Sequence, residues 1–168
     1  TQRPGKLDVA VPAPVAAGES VVVEVRYGGN PRPTRSTWGA VGWEELDDGV
    51  LVAGQPNGAP TWFPCNDVAA QKAPFRVRIT AASSYRAVVN GALVDRRAHG
   101  SRTTWAYDQS EPTSPYLMTL NVGRSDEVPL PGSAVAVRLV VPMRLRAAAL
   151  DAFARQAAML DAFAELFG

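Results

Sequence analysis

The run Phe75–Thr80, Phe-Arg-Val-Arg-Ile-Thr, sets the tightest limit on what this chain can fold into. Successive side chains of an extended strand point to opposite faces. Phe75, Val77 and Ile79 therefore share one face, and Arg76 and Arg78 the other. A helix would scatter those three apolar residues around its axis. A sheet with one face on a core and one in water accommodates them, and that arrangement is characteristic of antiparallel sheets.

Related signals recur through the first two thirds of the chain. Lys6–Val11 alternates, and Glu19–Tyr27 is a β-branched run between the turn signals Ala17-Gly18 and Gly28-Gly29. Asn30–Trp43, with two prolines, reads as a loop, and Asp47–Gly54 as a turn into a short strand. Tyr85–Val94 reads as a hairpin about Asn90-Gly91, the strongest short-range hairpin signal. Arg102–Tyr107, Tyr116–Gly123 and Ser133–Val141 are further strand candidates. Short strands at close spacing predict an all-β fold, an antiparallel β-sandwich or barrel.

The period then changes. Pro142–Phe167 is dense in helix formers, and Phe153, Ala157, Leu160, Ala164 and Phe167 recur at helical spacing. A helix of about 25 residues would span roughly 37 Å. The expected organisation is a β-sandwich over residues 1–141, followed by one C-terminal α-helix over 142–168 that opens a following domain. The N-terminus begins without Met and has no apolar signal core, as expected of an excised or processed segment.

The chemistry-bearing residues are few. A catalytic metal site takes about three protein ligands, whereas this chain has one His (His99) and one Cys (Cys65). No metal site and no catalytic residue are expected in it. It holds no Gly-x-Ser-x-Gly elbow, phosphate loop or dinucleotide fingerprint. Glu44-Glu45 and Asp47-Asp48 precede a turn glycine and read as solvated, and His99 reads as part of an exposed turn. A net charge of +1 without basic runs leaves no footprint for nucleic acid or anionic membrane. No apolar run approaches the roughly 18 residues of a spanning helix, so a soluble, cytoplasmic chain is expected.

The residue order from Gly54 onward carries a resemblance. Gln55, Pro56, Ala59, Phe63, Pro64, Cys65, Asp67, Lys72, Ala73 and Phe75 are followed by Asn90-Gly91, by Pro112, Tyr116 and Leu117, and by a helix ending Phe-Gly. In this order they resemble the N-terminal β-sandwich domain of the M1 family of zinc aminopeptidases, and the variant is similar to bacterial, including actinobacterial, members. The departures are a missing Arg near Pro60 and Thr61, Ala69 where the family has Pro, and Pro74 at the usually freer third position of Lys-Ala-x-Phe. The family's His-Glu-x-x-His zinc motif and its Gly-x-Met-Glu-Asn loop are not in these residues. The resemblance therefore implies a non-catalytic domain without its first strands, inactive alone, with zinc in the catalytic domain of the parent.

By the same resemblance, Gln55 binds the free α-amino group of a peptide substrate in the full-length parent and lines the first side-chain pocket. A Gln carbonyl accepts from an ammonium, and a neutral side chain is cheaper to desolvate than a carboxylate. Trp62 and Phe63 are expected to anchor the loop, Cys65 to be a buried small hydrophobe, and Asp67 to accept N–H groups from the following turn. The expected partners are the peptide N-terminus and the catalytic domain, with self-association through the C-terminal helix. The competing expectation is a free-standing β-sandwich binding module for carbohydrate or a protein partner, with Trp38, Trp43, Trp62 and Trp105 as its stacking face.

Overall fold

The computed structural model describes residues 1–168 other than Pro4, Trp38 and Ser133. Its strands are β1 (Gln2–Arg3), β2 (Lys6–Leu7), β3 (Thr34–Ser36), β4 (Gly39–Leu46), β5 (Gly49–Ala53), β6 (Ala73–Ala82), β7 (Arg86–Val89), β8 (Ala92–His99), β9 (Arg102–Thr113), β10 (Leu120–Gly123), β11 (Asp126–Leu130) and β12 (Val137–Val141). Helices α1 (Arg146–Ala152) and α2 (Gln156–Phe167) follow. No helix among the described residues is long and apolar enough to cross a membrane.

Two antiparallel sheets face each other, as the alternation predicts. One has the order β3-β4-β5-β10-β7 and the other β6-β9-β8. Val52, Ala87, Val89 and Leu120 from the first sheet meet Trp105 and Tyr107 from β9, with Val77, Ile79 and Leu93 packed beside them. Trp105 is 1% exposed. The Tyr107 hydroxyl donates to the Ala87 carbonyl across the gap at 2.9 Å, so a ring buried for its apolar area keeps its polar tip satisfied. Along β6, exposed and half-buried residues alternate without a break. Its pairing with β9 slips between Ala73 and Phe75, at Pro74, which has no N–H to give the ladder.

Five expectations are corrected. Glu19–Tyr27 belongs to no strand among the described residues, and Val22 is 94% exposed. Its β-branched residues fit a pleated surface, yet no described strand pairs with them in a ladder. Asn30–Trp43 is not all loop, because β3 and β4 pair through it. Gly39 and Gly42, at φ +113° and +95°, hide the strand signal there. The Asn90-Gly91 pair does not close a hairpin: β7 pairs with β10 and β8 with β9, in different sheets. Tyr116–Gly123 starts as a short helical turn, Pro115–Leu117, and becomes a strand only at Leu120. The C-terminal helix is divided into α1 and α2, where Phe153 and Arg155 leave helical geometry for the bridge region.

Three smaller differences complete the comparison. Only Lys6–Leu7 of the first alternating run is paired. The Ser133–Val141 strand begins at Val137, with Ser133 outside the described residues. β11, which carries Pro129, has no counterpart among the expected strands.

Asn90-Gly91 is thus a corner between sheets. Gly91 has φ +89°, and a Cβ there would run into the Asp108 carbonyl. The Asn90 Oδ1 accepts the Thr119 N–H at 2.7 Å and its hydroxyl at 3.1 Å, and Nδ2 donates to the Leu117 carbonyl at 3.0 Å. Asn90→Ala removes all three bonds and is expected to cost about 1–3 kcal/mol. Urea unfolding checks this; an unchanged midpoint at constant slope would contradict the role assigned to the corner.

Candidate functional site

The segment Gly54–Asp67 leaves the end of β5 and returns toward β6. Gly54 lies so close to the Asn57 carbonyl that a side chain has no room. The Gln55–Pro56 peptide is cis. Gln55 and Pro56 are exposed, Asn57 is half-buried, and Gly58 and Ala59 are buried.

Gly58 is the point where the loop is fixed. At φ +125° it adopts a conformation that glycine tolerates and other residues rarely do. Its N–H donates to Asp67 Oδ2 at 2.9 Å, and its carbonyl accepts the Thr61 hydroxyl at 2.6 Å. The Thr61 oxygen also accepts the Trp43 N–H of β4 at 3.0 Å, which ties the loop to the five-stranded sheet. A side chain at Gly42 would strike Thr61, so that glycine makes room for the tie. Asp67 therefore caps a residue upstream of it, not the turn that follows, which corrects the expectation.

The aromatic part of the loop packs as expected. Trp62 and Phe63 meet edge-on with centroids 4.8 Å apart, and Phe63 meets Phe75 of β6 at 6.0 Å. The Tyr27 hydroxyl donates to the Trp62 carbonyl at 3.0 Å. The Ser114 hydroxyl, in a buried residue, donates to the Ala69 carbonyl at 2.6 Å. That bond draws the Pro112–Leu117 segment against the loop, so two regions separate in sequence adjoin here. Three buried polar atoms in or beside the loop, Asn57 Oδ1, Trp43 Nε1 and Trp62 Nε1, lack partners in the structure.

Sequence reasoning singled out Gln55, Trp62, Phe63, Cys65 and Asp67 but passed over Gly58, Thr61, Ser114 and Tyr27. The one available signal was Gly-Ala-Pro-Thr, a glycine followed by a Pro and a side-chain hydroxyl, which is turn chemistry.

The residues outside the loop are quickly placed. His99 is exposed, as expected, but it is the last residue of β8 and not part of a turn. Glu44 and Glu45 are exposed on β4. Asp48 accepts from the Tyr85 hydroxyl at 2.7 Å and pairs with Arg124 at 3.2 Å. Among the described residues no group of three His, Cys, Asp or Glu side chains could hold a metal ion. The donors here do not fit zinc, so no zinc chemistry is assigned to these residues. Trp105 is in the core, and Trp43 and Trp62 pack against it, so they form no exposed stacking face; Trp38 lies outside the described residues.

The family model for the Peptidase M1 N-terminal domain matches residues 7–117, more than half of the chain. The chain belongs to that family. Among solved structures it is similar to the M1 zinc metallopeptidase from Deinococcus radiodurans, at 23% identity and TM-score 0.62. It is also similar to a mutant of that enzyme bound to a Tyr-Ser-Ala substrate, and to a two-domain M1 zinc metallopeptidase mutant bound to L-arginine, each at 23% identity and TM-score 0.64. In all three cases the alignment covers 68% of this chain and 28% of the other. No curated protein matches the chain.

Cys65 is half-buried, and its thiol is pushed up from 9.0 to about 11, first by burial and then by the Asp67 charge. A raised pKa means less thiolate at any pH below it, so at pH 8 Cys65 should carry about 100-fold less thiolate than an unshifted thiol. The rate of alkylation against pH should bend near 11, and lower in Asp67→Asn. A bend near 9 in the native chain would contradict the burial.

Proposed function

We propose that this chain is the non-catalytic, substrate-side domain of a zinc aminopeptidase, and that it presents Gln55 to the free amino terminus of a peptide. The observation that carries the reading is the division of the Gly54–Asp67 loop. Its Gly58–Phe63 part is fixed by hydrogen bonds and ring contacts, while Gln55 is exposed at its other end. A fixed base and a projecting amide suit recognition of a small charged group, because the loop backbone behind the amide need not be ordered on binding. L-Arginine and Tyr-Ser-Ala, which the similar enzymes bind, both present a free α-amino group.

In this reading residues 1–141 form the domain proper. Residues 142–168 lead into a catalytic domain whose own residues supply the zinc ligands, and the isolated chain has no peptidase activity. Replacing Gln55 by Ala in the full-length parent should raise KM for substrates with a free N-terminus by about 10-fold or more, the value of a hydrogen bond to a charged group. Gln55→Glu should restore binding. Kinetics of Gln55→Ala equal to the parent's would defeat the assignment.

The helices also define a surface. α2 has no buried residue, and Phe163, Leu166 and Phe167 are 51%, 73% and 81% exposed. Apolar area of this kind seeks cover. The isolated chain is expected to self-associate through residues 142–168, and Phe163→Asp with Phe167→Asp to return it to monomer. Light scattering behind size-exclusion chromatography checks this; a monomer at all concentrations would refute it.

A further inference from the structure

The β11–β12 hairpin stands apart in the topology. Its strands pair with each other and, among the described residues, with no strand of either sheet. Side chains, not a backbone ladder, must therefore hold it to the sandwich. Val128 and Leu139 lie opposite each other in the hairpin and are 7% and 8% exposed, so one of its faces is sunk against the rest of the molecule. Apolar burial is non-directional and does not by itself fix an angle. The helices rest on this hairpin: α1 packs against β12, and Ala157 of α2 lies beside Gly132 in the hairpin turn.

Two polar contacts supply the direction. In the first, Glu127 of β11 is gripped from both sides. Its Oε2 accepts from Arg86 Nη1 at 2.8 Å, and its Oε1 lies 3.8 Å from Arg138 Nη1. Arg86 opens β7, the outer strand of the five-stranded sheet, and Arg138 belongs to β12. One carboxylate thus joins the sandwich to both strands of the hairpin. In the second, Asp48 accepts from the Tyr85 hydroxyl at 2.7 Å and pairs at 3.2 Å with Arg124, just before β11. The side chains of Asp48 and Arg124 are 47% and 68% exposed, against 34% and 32% for Glu127 and Arg86, so water screens the second contact more. Arg86 Nε is buried without a partner in the structure, and among the described residues Glu127 is the only carboxylate paired with this arginine. Without the Glu127 charge, Arg86 is a half-buried cation with no counter-charge, which costs more than breaking an exposed pair.

We propose that Glu127 is a positioning residue, which fixes the angle at which the hairpin and the helices leave the sandwich. The grip is seated on the core: Tyr107 donates to the carbonyl of Ala87, the residue after Arg86. Burial raises the Tyr107 phenol, and the charges of Arg138, Glu127 and Arg86 act on it as well, so all three lie within its electrostatic reach. The consequence for function rests on the reading given above. There, Gln55 stands on the sandwich, and the zinc ligands belong to the domain that residues 142–168 lead into. The hairpin is the covalent link between them, so its angle enters the distance from the Gln55 amide to a bound peptide. Glu127 touches no substrate and acts only through that distance, where a misplacement of about 1 Å is enough to be felt.

The test has two arms. In the whole chain, Glu127→Gln removes the charge and keeps the shape. Amides of β11 and β12 should then exchange hydrogen about threefold faster or more, while those of β9 keep their native rates. Glu127→Asp, which keeps the charge, should return most of the protection. Equal hairpin exchange in native and Glu127→Gln chains overturns the anchor, and so does an equal rise in β9, which would mean a general loss of stability. In the full-length parent, Glu127→Gln should raise KM for substrates with a free N-terminus about threefold or more and change kcat less. Added to Gln55→Ala it should cost nothing further, because both act on one contact. Full additivity of the two substitutions overturns the positioning role. Parent-like kinetics of Gln55→Ala would sink the functional reading and the positioning role with it, whereas the exchange rates judge the anchor by themselves.

Discussion

The insertion of β9 between its neighbours is the constraint on which the rest of this domain depends. β9 is paired on both sides, and its inward residues Thr103, Trp105 and Tyr107 are almost wholly buried. The Trp105 ring fills the space that separates the two sheets, and Tyr107 bonds to the opposite one. Every element of functional interest is positioned from this strand. β6 takes its register from β9, Phe75 takes its place from β6, and Phe63 and the loop behind it lean on Phe75.

The loop is held in a different way. Its fixed point is a backbone glycine whose donor and acceptor are both taken by side chains that follow it in the chain. Such a junction requires little buried area, which suits a segment that has to sit at the rim of a sandwich and still present a side chain outward. The aromatic pair Trp62–Phe63 adds the apolar contact that the hydrogen bonds alone do not supply.

Much of this was legible in the sequence, and the failures are instructive. The β6 face was readable because Phe75, Val77 and Ile79 alternate with Arg76 and Arg78, and one buried face enforces that pattern. Glu19–Tyr27 has an equally strong local signal and no ladder, because pairing is decided by what lies alongside and not by the segment itself. Asn90-Gly91 announced a reversal correctly, but the sheet each arm joins is a tertiary choice, made by Asn90 bonding to Thr119 and Leu117. β4 was hidden by Gly39 and Gly42, whose lack of side chains removes the apolar signal and, at Gly42, makes space for Thr61. Of the loop, the residues that point or pack were visible by their chemistry. Gly58, which acts through its backbone, and Thr61, whose hydroxyl ties two backbone groups together, were not.

The corner at Gly91 has one more consequence. Between residues 73 and 123 the chain enters the three-stranded sheet at β6, crosses to the five-stranded one at β7, returns for β8 and β9, and crosses again to β10. The two layers are laced together by one thread, so neither can be completed while the other is missing. Such a weave favours a single all-or-none transition over stepwise loss of layers, and its distant pairings make it slow to assemble. A domain that must hold one side chain steady at its rim gains from this: the rim has no layer of its own that can melt while the rest stays folded.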